Sequence, residues 1–367
     1  NSAAIIRRAG RVVRVLPEWA PVRSRPQRNA FHRYTVDRHL WQTVANATTL
    51  VTRTTRPDLL MIAALFHDLG KGYPGDHTER GVELFRTIGP RMGLSEADVE
   101  TVVLLIAHHL LLADTATRRD LSDDATITMV ANALGSSTVL DLLHALTEAD
   151  SKATGPSAWT DWKSELVSLL VDRVRHVLGG GDVQDVMWRL FPDAEVLGMM
   201  AEGAFAVRTR PDRISVVSPD APGTFARVAG VLALSGLDVL GAEAHSDEQG
   251  MAASEFRVAS PYGEIEWPPI VANLERALSG RLALESRLAD RAATARPRRA
   301  QSASAPAGPS VRFDDSASSN ATFLEVRAPD RVGVLHRIAR TIADLGLDIR
   351  HARVLTLGNE VVDSFYV

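Results

Sequence analysis

The sequence predicts a multidomain chain: an all-α domain followed by two α+β units of one design. Three observations predict it. Helical spacing of apolar residues dominates from Tyr34 to about Arg175. From Ile214 onward, short β-branched runs alternate with amphipathic stretches between Pro- and Gly-containing turns. This second texture occurs twice. Pro219-Asp220-Ala221-Pro222-Gly223 returns as Pro329-Asp330-Arg331-Val332-Gly333, Arg227 as Arg337, Ala229 as Ala339, and Gly236-Leu237-Asp238 as Gly346-Leu347-Asp348. After one residue of slippage, Phe256-Arg257-Val258 returns as Phe365-Tyr366-Val367.

The bulk numbers fit such a chain. Its 367 residues suffice for two or three domains. A net charge of −4 supplies no basic face, so no nucleic-acid partner is expected. There is no cysteine, which excludes disulfides, thiolate metal sites and cysteine nucleophiles; any metal must use His, Asp and Glu. No apolar run reads as long enough to span a bilayer and the start shows no signal-peptide pattern, so no membrane partner and a cytoplasmic location are expected. The chain starts at Asn1 without Met, and its second repeat stops before a last helix and strand; a piece of a longer protein is expected.

In order, residues 1–30 are rich in Arg and Pro and read as an arm or linker. Residues 31–178 form the helical domain. Its expected helices are Asp37–Arg53, Asp58–Phe66, Asp76–Ile88, Ser95–Leu112, Asp124–Leu134, Val139–Lys152 and Ala158–Val177. Ser95 with Asp98 resembles a capping box with Asp in place of Glu. Gly179-Gly180-Gly181 opens a connector over 179–212. The first repeat spans 213–280, with strands at Ile214–Val217, Val239–His245, Ala252–Val258 and a short one at Glu264–Trp267, and helices at Thr224–Leu234 and Ile270–Leu278. That order is close to β-α-β-β-α-β, the ferredoxin-like unit. Residues 281–320 read as a linker, most flexible from Arg291 to Ser310, and 321–367 as the incomplete second repeat.

Chemistry concentrates in Ala63-Ala64-Leu65-Phe66-His67-Asp68-Leu69-Gly70-Lys71, where an imidazole and a carboxylate leave the end of an apolar helix together. Nitrogen and oxygen ligands suit a borderline or hard divalent metal. His39, His108, His109, His77 and Asp150 lie on other helices of the same domain, and a helical bundle can point such side chains into one cavity. Taken singly, a His on an apolar face is a core or surface residue, and His32 and His144 are read that way. His109 is the weaker of its pair, since neighbours one apart on a helix face different ways. Lys71 is either within reach of a bound phosphate or a solvated side chain in a Gly-rich loop. Arg118 and Arg119 could hold a phosphate bidentately or form surface pairs.

The order His…His-Asp…His…His-His…Asp over Phe31 to Arg175 resembles the HD metal-dependent phosphohydrolase superfamily. The resemblance implies His39, His67, Asp68 and Asp150 as ligands of one ion. It implies His77, His108 and His109 as ligands of a second, with Asp68 bridging the two. Manganese, magnesium, iron and zinc all fit such donors. Lys71 and Asp68 would act on the phosphate in catalysis. Gly72-Tyr73-Pro74 spells a motif of the cyclic-dinucleotide HD-GYP enzymes, but it precedes the paired histidines instead of following them and is read as chance.

The Pro-Asp-x-x-Gly loops are similar to ACT regulatory domains, which implies an amino-acid effector at Asp220, Gly223, Asp330 and Gly333; a ferredoxin-like module used only for pairing is the plain alternative. An HD domain followed by tandem ACT domains resembles the C-terminal half of the family of bifunctional uridylyltransferase/uridylyl-removing enzymes of PII nitrogen signalling. Phe31-His32-Arg33-Tyr34-Thr35-Val36-Asp37, Gly75-Asp76-His77 and Leu146-Thr147-Glu148-Ala149-Asp150 carry that resemblance. It implies metal-dependent removal of UMP, or of AMP, from nucleotidylated PII, with glutamine as effector and a nucleotidyltransferase domain upstream. No nucleotidyltransferase activity is expected here, since the Gly-Ser and paired-Asp motifs are absent. The rivals are a guanosine tetraphosphate hydrolase and a non-enzymatic amino-acid sensor with a degenerate HD fold.

Overall fold

The structure, a computed structural model, describes residues 12–27, 33–121, 123–156, 158–186, 191–261, 263–294, 308–314, 321–354, 356–357 and 360–367. Contacts divide the chain into two units, Asn1–Thr117 with Asp124–Met187, and Arg118–Asp123 with Trp188–Val367.

The first unit is helical: α1 Val36–Ala47, α2 Pro57–Phe66, α3 His77–Arg91, α4 Glu96–Ala107, α5 Leu111–Arg118, α6 Asp124–Leu134, α7 Ser137–Thr154 and α8 Asp161–Leu178. Side chains mark the helix starts. Asp76 accepts from the Thr78 and Glu79 amides, Ser95 from Asp98, Ser136 from Val139 and Thr160 from Lys163. Pro57 opens α2, where its missing N–H has no partner to lose. α2 buries Leu59, Leu60, Ala63, Ala64 and Phe66, and so serves as a core helix.

Four expectations change here. The first helix stops at Ala47 rather than Arg53, because Thr48 and Thr49 turn their hydroxyls back onto the Ala45 and Asn46 carbonyls; a 3-10 turn follows at Val51–Arg53. The expected Ser95–Leu112 helix breaks at His108, and α5 starts afresh at Leu111. Contrary to the sequence reading, Glu96–Arg118 has the length and apolar composition of a bilayer span, yet half of its most apolar window is buried inside the protein. The expected arm is in part folded. Trp19 and Val22 are buried, Trp19 packs on Trp41 with ring centroids 5.6 Å apart, and Tyr73 donates to the Glu18 carbonyl. Residues 1–11 and 28–32 lie outside the described residues.

The second unit holds α9 Ala194–Ala201, β1 Ala206–Arg210, β2 Arg213–Pro219, α10 Thr224–Leu234, β3 Asp238–Ser246, β4 Met251–Ala259, α11 Trp267–Leu278, α12 Leu284–Thr294, β5 Ser310–Asp314, β6 Phe323–Pro329, α13 Val334–Asp344, β7 His351–Arg353, β8 Thr356–Leu357 and β9 Glu360–Tyr366. The strands form one antiparallel sheet in the order β1-β2-β4-β3-β7-β9-β6-β5, with β8 on β9. The repeat is visible in its register. Phe256 pairs with Ile214 and Ala242, and Phe365 with the matching Leu324 and Ala352. Gly223 and Gly333 both cap their helices with left-handed backbone, φ 79° and 73°, which favours glycine.

Other expectations give way. Glu264–Trp267 is no strand; Trp267 opens α11, and prolines in its first turn suit a helix start. The connector contains α9, capped by Asp193, which packs Val196 and Met200 against Val217 and Met251 of the sheet. Within the expected linker, α12 and β5 are formed, while 295–307 and 315–320 lie outside the described residues.

Candidate metal centre

Five elements of the helical unit bring imidazoles and carboxylates to one place. α1 supplies His39, the end of α2 supplies His67 and Asp68, the start of α3 supplies His77, the turn after α4 supplies His109, and α7 supplies Asp150. They form two groups, His39–His67–Asp150 and Asp68–His77–His109, in each of which the ligand atoms lie within 4.8 Å of one another. Local backbone contacts aim the rings. The Nδ1 atoms of His67 and His109 donate to the Ala64 and Ile106 carbonyls at 3.1 and 2.8 Å, which leaves Nε2 of each ring facing the cavity.

Asp68 joins the groups. Its Oδ2 lies 3.6 Å from His39 Nε2 and 3.5 Å from His67 Nε2; its Oδ1 lies 3.6 Å from His109 Nε2 and 3.8 Å from His77 Nε2. Asp150 Oδ1 lies 2.9 Å from His39 Nε2 and 3.4 Å from His67 Nε2. Burial alone would raise the Asp68 and Asp150 carboxyls, but the positive charge of His67 beside them outweighs it and holds both well below the usual carboxylate range. Burial likewise pulls the His67 imidazole down, and the two carboxylates overcome it, pushing the group up to about 10. Burial lowers the His109 imidazole.

These residues fit a cation. Asp68 is 2 % exposed, and its Oδ1 accepts no hydrogen bond among the described residues although two imidazole nitrogens face it. A buried carboxylate oxygen without a donor is a costly arrangement unless a positive charge meets it. The donors are nitrogen and oxygen, which suits a borderline divalent ion.

A 3-10 turn, Leu69–Gly72, carries Lys71 back over Asp68. Lys71 Nζ donates to Asp68 Oδ2 at 2.6 Å and to Gln27 Oε1 at 3.2 Å. Gly70 is required sterically, since a Cβ there would come within 1.9 Å of the His77 carbonyl oxygen. Gln27 was missed by the sequence reading; it lies in the expected arm, where no local pattern marks it. The paired histidines exchange the weights the sequence suggests. The helix ends at Ala107, so helical spacing does not govern them: His109 turns inward, while His108 is half-buried and outside both groups. His144 on α7 is also outside both groups, and His32 lies outside the described residues. Arg118 is the last residue of α5 and Arg119 follows it; neither belongs to the two ligand groups. Gly72-Tyr73 is a packing element: Tyr73 bonds to Glu18, and a Cβ on Gly72 would meet Val22 at 2.9 Å.

The four expected effector residues lie on two loops of the second unit. The first lines a cavity of about 290 Å³ with Asp220, Gly223 and Thr224, opposite His245 of β3 and Leu347-Asp348 of the second repeat. Partial burial and the nearby Asp220 charge raise the Asp348 carboxyl, against Arg350. Asp348 was not singled out from sequence, although its Gly-Leu-Asp context is one of the repeated triplets. Asp330 and Gly333 sit at the equivalent turn before α13.

Residues 36–136 match the HD domain model, and residues 322–367 match the ACT domain model. Similar curated proteins carry the name bifunctional uridylyltransferase/uridylyl-removing enzyme. The one from Streptomyces coelicolor is 41 % identical over 98 % of this chain and 48 % of its own length. The one from Mycobacterium tuberculosis is 40 % identical over 98 % and 46 %, and that from Gluconobacter oxydans 32 % over 99 % and 45 %. This chain spans about half the length of the curated relatives it matches. With an HD domain, an ACT domain and homology along nearly its whole length, the chain corresponds to a C-terminal half of the proteins named bifunctional uridylyltransferase/uridylyl-removing enzyme.

Proposed function

We propose that this chain removes a nucleotidyl group from a tyrosine of PII by metal-dependent phosphodiester hydrolysis, and that free glutamine bound to the ACT pair raises that activity. The observation that carries the reading is the position of Asp68, a member of the His77–His109 group whose Oδ2 lies 3.6 and 3.5 Å from the His39 and His67 Nε2 atoms, with the Lys71 ammonium on the same carboxylate. When bound, divalent cations supply charge stabilisation of the phosphoryl oxygens and acidify water. His39, His67, Asp150, Asp68, His77 and His109 would hold them. Lys71 would stabilise charge on the phosphate or protonate the leaving tyrosyl oxygen. The name of the relatives favours UMP as the group removed, with AMP as the alternative.

The effector reading rests on the cavity at Asp220. Its size and its two carboxylates suit the ammonium of a free amino acid, and the first-turn amides of α10 suit the carboxylate. The full-length protein is proposed to carry a nucleotidyltransferase domain in the half this chain does not span.

The test is incubation of the chain with UMP-modified and AMP-modified PII, with and without manganese and with and without glutamine, reading nucleotide release. Release that requires manganese and rises with glutamine is the expected result. No release from either substrate by a metal-loaded protein would overturn it.

A further inference from the structure

The two repeats are related by a pseudo-two-fold axis. The offset of 110 residues that relates Gly223 to Gly333 also relates Ala226 to His336, and His336 Nδ1 donates to the Ala226 carbonyl at 2.7 Å. Ala242 and Ala352, equivalent by the same offset, pair with each other across β3 and β7. Equivalent residues that touch one another lie on the axis. Such an axis generates two ligand positions, one at each Pro-Asp-x-x-Gly loop.

The two positions differ. At the first, Gly223 looks across to Ala343, near the end of α13, whose Cβ would be 4.0 Å from an added Cβ, and the cavity of about 290 Å³ lies beside it. At the second, the atoms nearest an added Cβ on Gly333 are the methyls of Leu288 of α12, at 3.7 and 3.9 Å, with the Arg337 guanidinium beside them at 3.8 Å. α12 is seated across both repeats, its start beside Gly223 and Gly230. Leu284 and Leu288 are 7 % and 6 % exposed, Leu284 packs over Gly230, and Glu285 forms an ion pair with Arg340 of α13.

We propose that the tandem ACT pair holds one free amino acid instead of two: the Asp220–Asp348 cavity takes the ligand, and Leu288 of α12 fills the matching position over Gly333. This rests on the amino-acid-sensing reading above. An apolar side chain in a position built for a zwitterion removes the room for the ligand and the water that would solvate its charges. The repeat is thereby divided into a sensing half and a half closed by the chain's own helix.

Calorimetric titration of the full chain with L-glutamine tests it. One molecule per chain is expected. Asp348→Asn should weaken binding at least about tenfold by removing a charge partner of the ammonium, while Asp238→Asn, at the equivalent position of the first repeat, should change it less than about twofold. Leu288→Ala should raise the stoichiometry toward two. Two molecules on the unsubstituted chain would overturn the proposal. So would an Asp238→Asn variant that loses binding while Asp348→Asn keeps it, or a folded Leu288→Ala variant still binding one. Absence of any glutamine binding to the folded chain would instead overturn the amino-acid reading, and this proposal with it.

Discussion

Lys71 donates to Asp68 Oδ2 at 2.6 Å, so its ammonium sits on the carboxylate that joins the two ligand groups. In the proposed reaction it acts on a group bound beside that carboxylate. Lys71→Ala is expected to lower kcat by roughly 10²–10⁴-fold, the range of a general acid or charge stabiliser, with bound metal little changed. Metal analysis beside single-turnover kinetics separates the roles; metal lost at unchanged turnover per bound ion would make Lys71 structural.

Gln27 Oε1 accepts from the same ammonium at 3.2 Å, and we propose that it positions Lys71. Gln27→Ala should lower kcat more than it alters KM, with partial rescue in Gln27→Glu, which keeps an acceptor oxygen. An equal fall of kcat in Gln27→Glu and Gln27→Ala would show that Gln27 does not orient Lys71.

Asp68→Ala should reduce hydrolysis at least about 100-fold and remove the thermal stabilisation that added manganese gives the unsubstituted chain. The helices around it pack through Leu59, Leu60, Ala63 and Phe66, so far-ultraviolet circular dichroism should be retained. Normal turnover and metal content in this variant would refute the site.

Gly70→Ala should destabilise the helical unit by about 1–3 kcal/mol, because the added methyl meets the backbone of His77 and the turn must move. Urea denaturation followed at a fixed metal concentration reads this directly. An unchanged midpoint would mean that the turn relaxes freely.

Effector binding should weaken as pH falls through the Asp348 pKa, which lies above the usual carboxylate value. The sign follows from charge: the ionised carboxylate attracts the ligand's ammonium, and protonation removes that attraction. Asp220, Arg350 and His245 share the surroundings, so Asp348→Asn is the control. Glutamine affinity measured from pH 4 to pH 8 should lose its carboxylate step in Asp348→Asn; an unaltered profile would assign the step elsewhere.

The amino-acid sequence by itself determined the helical and the α+β halves, the repeat, and the residue types of the candidate metal centre. Those are local matters: apolar period, capping side chains such as Ser95 and Asp76, and glycines such as Gly223 and Gly333 that tolerate left-handed backbone. Tertiary structure decided which of His108 and His109 turns inward, because α4 ends at Ala107 and the pair lies in the turn beyond it, where helical period no longer applies. It also brought Gln27 to Lys71, Asp348 to Asp220 and Leu288 to Gly333. Each of these pairs joins residues far apart in the chain, and no window of local sequence contains both members. Such contacts arise only when elements with their own local preferences are packed to bury a common apolar core.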